Sequence, residues 1–302
     1  MGRLALKTFL IVLPFAVAAG LVAWVDPFAY FAWHAASPGP AREGVAERLN
    51  PPLWKLAGYR HRPAPHLLLG DSRMASLDAD SIAARTGERF ANLGYGGGSL
   101  DEAIKTFWYA DRLVPLRSAT FGVNLDLYNE ANAKDRVTGT EQILSHPGIY
   151  LCDRLVLRAT YHLLALSMGG PKPSVGVPPM SPDAFWTYQL DVTARIAYEG
   201  YRYPNGYVRR FAEVAEHCRK RNIALRFVIF PEHQDLIGRA ARFGLTGGAE
   251  RMRRDLGTIG ETVDLGELVD RGDRSLFTDP YHFNPRVEAR IIDQLWGPPR
   301  RP

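Results

Sequence analysis

A serine hydroxyl is a poor nucleophile until a base takes its proton, and histidine is suited to that task near neutral pH. The run Leu67-Leu68-Leu69-Gly70-Asp71-Ser72-Arg73-Met74 puts a serine where such chemistry is useful. Three leucines form a short apolar run that reads as a buried strand. Gly-Asp-Ser ends it, and a segment rich in Ala and Asp follows. Ser72 would therefore stand past a strand end at the start of a helix. The turn exposes its hydroxyl, and the partial positive charge of a helix N-terminus favours a developing anion. Gly, Asp and Ser are also ordinary turn residues, so the tripeptide needs partners elsewhere. Asp279-x-x-His282, far along the chain, supplies them. His282 would be the base, and Asp279 would fix its tautomer and stabilise the imidazolium that forms.

The elements that must bring these residues together read as alternating strands and helices. Leu67–Leu69, Arg89–Gly94, Ser118–Tyr128, Ile223–Phe230 and Thr262–Leu265 read as strands. Helices are expected over Asp78–Thr86, Leu100–Leu113, Glu141–Leu144, Leu151–Ser167, Tyr207–Arg221, Leu236–Leu256 with a glycine-rich break, and Val287–Leu295. Ser99 and Glu102 have capping-box spacing. The pattern predicts an α/β fold, a mostly parallel sheet with helices on both faces. In such sheets functional residues gather at the carboxyl ends of the strands, where Ser72, Gly97, Asn124 and His233 would all lie. Arg73, beside the nucleophile, is a candidate to hold an acidic substrate or to form an ion pair. His233, after the strongest strand, is a candidate to touch substrate or to cap a helix.

The chain has 302 residues, with a formal net charge of +5 carried by scattered arginines. No basic stripe interleaved with aromatics is present, so no nucleic-acid partner is expected. Cys152 and Cys218 form no C-x-x-C pair, which leaves one disulfide or two free thiols open and predicts no metal site. Neither G-x-x-x-x-G-K-[ST] nor G-x-G-x-x-G is matched by Tyr95-Gly96-Gly97-Gly98-Ser99, and no cofactor is expected.

The N-terminus reads as a membrane segment. Residues 1–7, with Arg3 and Lys7, precede an uncharged run from Thr8 to Val25. Trp24, Phe28, Tyr30, Phe31 and Trp33 form an interfacial aromatic belt. Basic residues on the N-terminal side predict a cytoplasmic N-terminus and a single pass. The rest of the chain would then lie outside the inner membrane, in a periplasmic or extracytoplasmic space. The rival is secretion after signal cleavage, since Ala16-Val17-Ala18 has the small residues of a cleavage site. Residues 26–65, with Pro38, Pro40, Pro51, Pro52, Pro63 and Pro65, read as a linker with a short helix near Ala41–Arg48. Residues 66–302 read as the catalytic domain. About 130–205 looks like an insertion or lid, with a proline-rich loop over Gly169–Pro182.

Taken together, the chain resembles the SGNH (GDSL) hydrolase superfamily. The likeness rests on Gly70-Asp71-Ser72, then Asn92 with Gly94 to Gly98, then Gly122-x-Asn124, and finally Asp279-x-x-His282, in that order. It implies a three-layer, flavodoxin-like SGNH fold. It also implies Ser72 as nucleophile, His282 as base and Asp279 as its partner. The oxyanion hole would come from the Ser72 amide, a glycine amide and the Asn124 side chain. The family glycine falls on Gly97, with Gly96 and Gly98 near enough to serve. Asp126 is the alternative inward-facing group of the third block. The third block reads Gly-Val-Asn-Leu-Asp where the family has Gly-x-Asn-Asp. With the long insertion and the anchor, this makes the chain similar to the membrane-tethered branch of alginate O-acetylation and DltD-like proteins.

That similarity implies an O-acetyltransferase or acetylesterase acting on a cell-surface polysaccharide through an acyl-serine intermediate. A membrane-bound O-acyltransferase is the implied partner. The alternatives are an esterase or lipase of small or lipid esters, and a catalytically silent scaffold for such an acyltransferase.

Overall fold

The computed structural model describes residues 2–31, 39–171 and 178–297. Trp33, Pro38, the middle of the proline-rich loop and the side chain of Arg3 lie outside the described residues. The chain divides into two compact units, one of residues 1–62 and 136–177, the other of 63–135 and 178–302.

The first unit is helical. Its opening helix, Gly2–Val25, contains within Leu4–Val25 an 18-residue window of mean hydropathy 2.3, 6% of it buried. That is long and apolar enough to cross a membrane. The far end of the helix is part of the unit's own packing: Val22 and Phe28 are fully buried. Asp26 accepts hydrogen bonds from the Tyr30 and Phe31 amides and from the Tyr150 hydroxyl at 2.7 Å.

The stretch expected to be a linker holds two helices, Pro40–Leu49 and Pro51–His61. The second was missed because Pro51-Pro52 reads as a loop. Proline is at home in the first helical turn, where its missing N–H has no intrahelical partner. Asn50 caps this helix by accepting from the Leu53 amide. Val45, Leu53 and Leu56 are buried, as are Val137, Leu144 and Val156 of the later helices Val137–Ser145 and Arg154–Ser167, which lie against these two. The insertion expected over about 130–205 is therefore split: residues 136–177 belong here and 178–205 to the second unit.

The second unit is the α/β part. Among the described residues its main sheet is five-stranded and parallel: β1 (His66–Gly70), β2 (Phe90–Gly94), β3 (Ser118–Gly122), β4 (Ala224–Ile229) and β5 (Glu261–Asp264), in the order β2-β1-β3-β4-β5. The order reverses between β1 and β3, the switch point at whose carboxyl edge doubly wound sheets bind ligands. Neighbouring residues of β4 serve opposite faces, as strand geometry demands. Phe227 meets Phe121 and Phe211 on one side, with Phe107 of the helix Leu100–Asp111 beyond. Val228 joins Leu68, Met74, Val287 and Ile291 on the other, beneath the helix Pro285–Trp296.

β3 is shorter than expected. After Gly122 the chain turns, with the Tyr128 amide donating to the Asn124 carbonyl at 2.8 Å, so residues 124–128 form a loop. A second, antiparallel pair, β6 (Phe277–Asp279) and β7 (His282–Phe283), was not foreseen; it is too short to show alternation.

Candidate active site

The expected relay is assembled at the carboxyl edge of the sheet. β1 delivers Gly70 and Asp71, and Ser72 opens the short helix Ser72–Ala75. Asp71 caps that helix by accepting from the Arg73 amide at 3.0 Å. Asn92 of β2 braces it from beside: its Nδ2 donates to the Met74 and Leu77 carbonyls at 2.8 and 2.7 Å. Gly94 lets β2 come this close, since a Cβ there would sit 2.7 Å from the Ala75 nitrogen.

The β6–β7 hairpin places Asp279 directly across from His282. Asp279 is buried, and its Oδ1 accepts the Tyr281 and His282 amides at 2.9 and 3.2 Å. Its Oδ2 lies 2.7 Å from His282 Nδ1. A carboxylate held this way is an acceptor, so Nδ1 carries the proton and Nε2 offers its lone pair. Nε2 is 2.6 Å from Ser72 Oγ. Ser72, His282 and Asp279, expected from their spacing and from the resemblance, are thus in one hydrogen-bonded line.

These groups open into a cleft of about 540 Å³, lined by Ser72, His282, Gly97, Gly98, Asp126, Asn129, Asn132, Lys134 and Gln189, among others. The glycine turn supplies a backbone donor. Gly98 N–H is already bonded to the Tyr95 carbonyl at 2.9 Å. Gly97, in the left-handed region at φ 56°, has no protein acceptor for its amide among the described residues. Its carbonyl takes a bond from Lys134 Nζ at 2.9 Å, and Ser99 Oγ returns one to the Lys134 carbonyl at 2.6 Å. The Ser72 amide, at the first helical position, likewise has no acceptor among the described residues. Of the glycines considered, Gly97 is thus the one whose amide is open to the cleft.

Asn124 is placed elsewhere. Its Nδ2 donates to the Phe230 carbonyl at 2.9 Å, and its Oδ1 accepts the Phe230 amide at 3.1 Å. Asn124 is buried and does not line the Ser72 cleft. With its carboxamide nitrogen and oxygen both bonded to the Phe230 backbone, it serves to tie the loop after β3 to the end of β4. The Gly-x-Asn spacing could not show this, because it depends on where β3 stops.

Arg73 lines the cleft but is buried among carboxylates and not paired at the surface. It is 1% exposed and makes three carboxylate contacts. Nη2 reaches Asp71 at 2.6 Å and Asp126 at 2.7 Å, and Nη1 reaches Glu232 at 2.6 Å. The guanidinium also lies 5.9 Å from the centre of the Tyr281 ring. One side chain thus knits the loops after β1, β3 and β4 to the hairpin that carries His282. Burial pulls the Arg73 pKa down, but Asp126, Asp71 and Glu232 outweigh it and hold it well above the ordinary value. Glu232 is pushed up to about 7, first by burial and then by Asp126 and Asp71, against the downward pull of Arg73.

Glu232, Asp126 and Tyr281 as partners of Arg73 were missed from sequence. The available signal was a carboxylate just beyond each of β1, β3 and β4. His233 caps the helix Gln234–Arg242 through Nδ1, which accepts from the Asp235 amide at 3.1 Å. It packs against the edges of Trp186 and Phe277 and is not among the cleft residues.

No grouping of His, Cys, Asp and Glu that could hold a metal occurs among the described residues. Cys152 is exposed, Cys218 is buried, and both are free thiols. Among protein-family models, none matches the chain, and no curated protein matches it in sequence.

Proposed function

We propose that the chain is a membrane-anchored serine acyl-transfer enzyme of the SGNH hydrolase type. It would act on O-acyl groups, acetyl first among them, of a cell-surface polysaccharide. The observation that carries the reading is the 2.6 Å contact of Ser72 Oγ with a histidine whose other nitrogen is fixed by a buried aspartate. Three side chains from opposite ends of the unit meet in the geometry that nucleophilic acyl transfer needs.

In this mechanism Ser72 Oγ attacks the ester carbonyl carbon while His282 Nε2 takes its proton. The carbonyl π bond opens, and the oxyanion is met by the amides of Ser72 and Gly97. Each such donor can contribute about 3 kcal/mol to lowering the barrier. Collapse re-forms the carbonyl and breaks the bond to the leaving alcohol, which takes the proton from His282. Water or a sugar hydroxyl then attacks the acyl-Ser72 ester and passes its proton to His282. The same tetrahedral path returns Ser72 free. Hydrolysis and transfer differ only in this second nucleophile.

Two features support anchoring at a membrane over secretion by cleavage. The helix Leu4–Val25 is uncharged from Thr8 onward, and its end is built into the packing of the first unit through Val22 and Asp26. Positive charge on the N-terminal side orients the catalytic unit outward. A membrane-bound O-acyltransferase would be the donor of acyl groups in the transfer direction. Turnover of para-nitrophenyl acetate by the full-length protein in detergent tests the chemistry. Wild-type activity lost in Ser72→Ala is expected; equal rates in the two proteins reject the assignment.

A further inference from the structure

One wall of the cleft is a continuous helical run, α over Pro182–Tyr188, π over Gln189–Thr193 and α again over Ala194–Glu199. Gln189, Thr193, Ile196 and Ala197 of this run line the space that Ser72 and His282 open into. The run is held firmly from outside. Trp186 Nε1 donates to Asp235 at 3.1 Å, and its ring lies 4.3 Å from the Arg274 guanidinium. Asp191 pairs with Arg239, and Asn129 donates to the Ala197 carbonyl at 2.9 Å.

Two polar groups on this braced wall have nothing to bind. Gln189 is only 8% exposed, yet its carboxamide has no hydrogen-bond partner among the described residues. The Thr193 hydroxyl has none either. In an α-helix, threonine commonly returns its hydroxyl to the carbonyl four residues back. Here that carbonyl, of Gln189, accepts the Ala194 amide five residues on, and the π turn leaves the Thr193 hydroxyl without a bond to it. Single π turns recur at functional sites, where they re-aim side chains at some cost to the helix. A preorganised carboxamide and hydroxyl, left unbonded beside a reactive serine, are groups waiting for a ligand.

We propose that Gln189 and Thr193 form a subsite for hydroxyl groups on the alcohol half of the ester. The cleft would then select an acylated carbohydrate over a lipid or aryl ester; this rests on the serine acyl-transfer reading. Carboxamide and hydroxyl each donate and accept, which matches sugar hydroxyls that do both. An apolar alcohol in the same place leaves both protein groups unpaired, and sites built for hydroxyls reject such analogues strongly. Ile196, 68% exposed on the same wall, offers an apolar surface for a sugar ring to lie against.

The test uses the full-length protein and two esters of equal ring size: a methyl glucoside acetylated on its primary hydroxyl, and cyclohexylmethyl acetate, which has no hydroxyls. Gln189→Leu and Thr193→Val, the latter a near-isosteric change, should each lower the ratio of kcat/KM for the glucoside ester over the cyclohexyl ester by about tenfold or more, through KM. Binding is read separately by titrating the glucoside ester into Ser72→Ala, with and without Gln189→Leu, where Kd should rise about tenfold or more. A ratio and a Kd that the substitutions leave unmoved overturn the subsite and leave the serine chemistry standing, as does failure of Ser72→Ala to bind the glucoside ester. If the wild type turns over neither ester, the serine reading fails. The loss of affinity in Gln189→Leu would then still support the subsite.

Discussion

Glu232 carries one unneeded negative charge. It shares Arg73 with Asp71 and Asp126, so a single guanidinium faces three carboxylates in a buried setting. Asn124, Tyr198 and Tyr281 are among the polar groups around it, and Glu250, Arg253 and Arg271 line the same cavity. Glu232→Gln keeps an oxygen for Arg73 Nη1 and removes the charge. The folded pKa of Glu232 lies near 7, above the reference value of 4.5. A carboxyl raised in this way binds more proton when folded. Its contribution is fully present below the unfolded pKa and is lost as pH rises through the folded pKa. Between about pH 5 and about pH 8 that loss integrates to about 2–3 kcal/mol. The glutamine variant does not suffer it. Urea unfolding of the full-length protein in detergent, followed by tryptophan fluorescence at both pH values, gives the difference. Glu232→Gln should gain about 2–3 kcal/mol on the wild type between the acidic and the alkaline condition. Parallel pH profiles, or a variant that falls further behind at the higher pH, would refute the reasoning, because the ionised carboxylate would then be a net stabiliser of Arg73.

Other parts of the site make separate predictions. Asp279→Asn should lower kcat by about four orders of magnitude with little change in fold, since the amide presents the wrong partner to His282 Nδ1; circular dichroism alongside ester turnover checks both halves. Gly94→Ala forces a Cβ to within 2.7 Å of the Ala75 backbone. It should cost about 1–3 kcal/mol in unfolding and disturb the nucleophile turn at the same time. Asn124→Ala should behave as a structural lesion, costing about 1–3 kcal/mol by leaving the buried Phe230 amide without its acceptor. A full loss of kcat in a stably folded Asn124→Ala would instead place its side chain at the reacting oxygen.

The parts of the fold legible in the sequence are those where local chemistry decides alone. Leu67–Leu69 and the Ser99–Glu102 capping box each sit where residue type predicts. The relay was legible because few positions combine a serine after a strand with a distant Asp-x-x-His. What escaped depends on tertiary context. Whether Pro51-Pro52 ends or starts a helix turns on Asn50 and on the packing beneath. The helical run over 182–199 was lost among aromatics such as Trp186 and Tyr198, which pack in the core, while its cleft-facing residues carry no clear pattern. The role of Arg73 was invisible because its three partners lie up to 159 positions away, on separate loops. Asn124 was misread for a related reason. Its spacing from Gly122 is fixed by sequence, but its direction is set by the end of β4.

The central claim is that Ser72 is a nucleophile activated by His282. Labelling the full-length protein with a fluorophosphonate probe, then mapping the adduct by peptide mass spectrometry, tests it most directly. A single adduct on Ser72 is expected, abolished in Ser72→Ala and strongly slowed in His282→Ala. Folded protein that takes no label at Ser72, or labels equally without His282, contradicts the account.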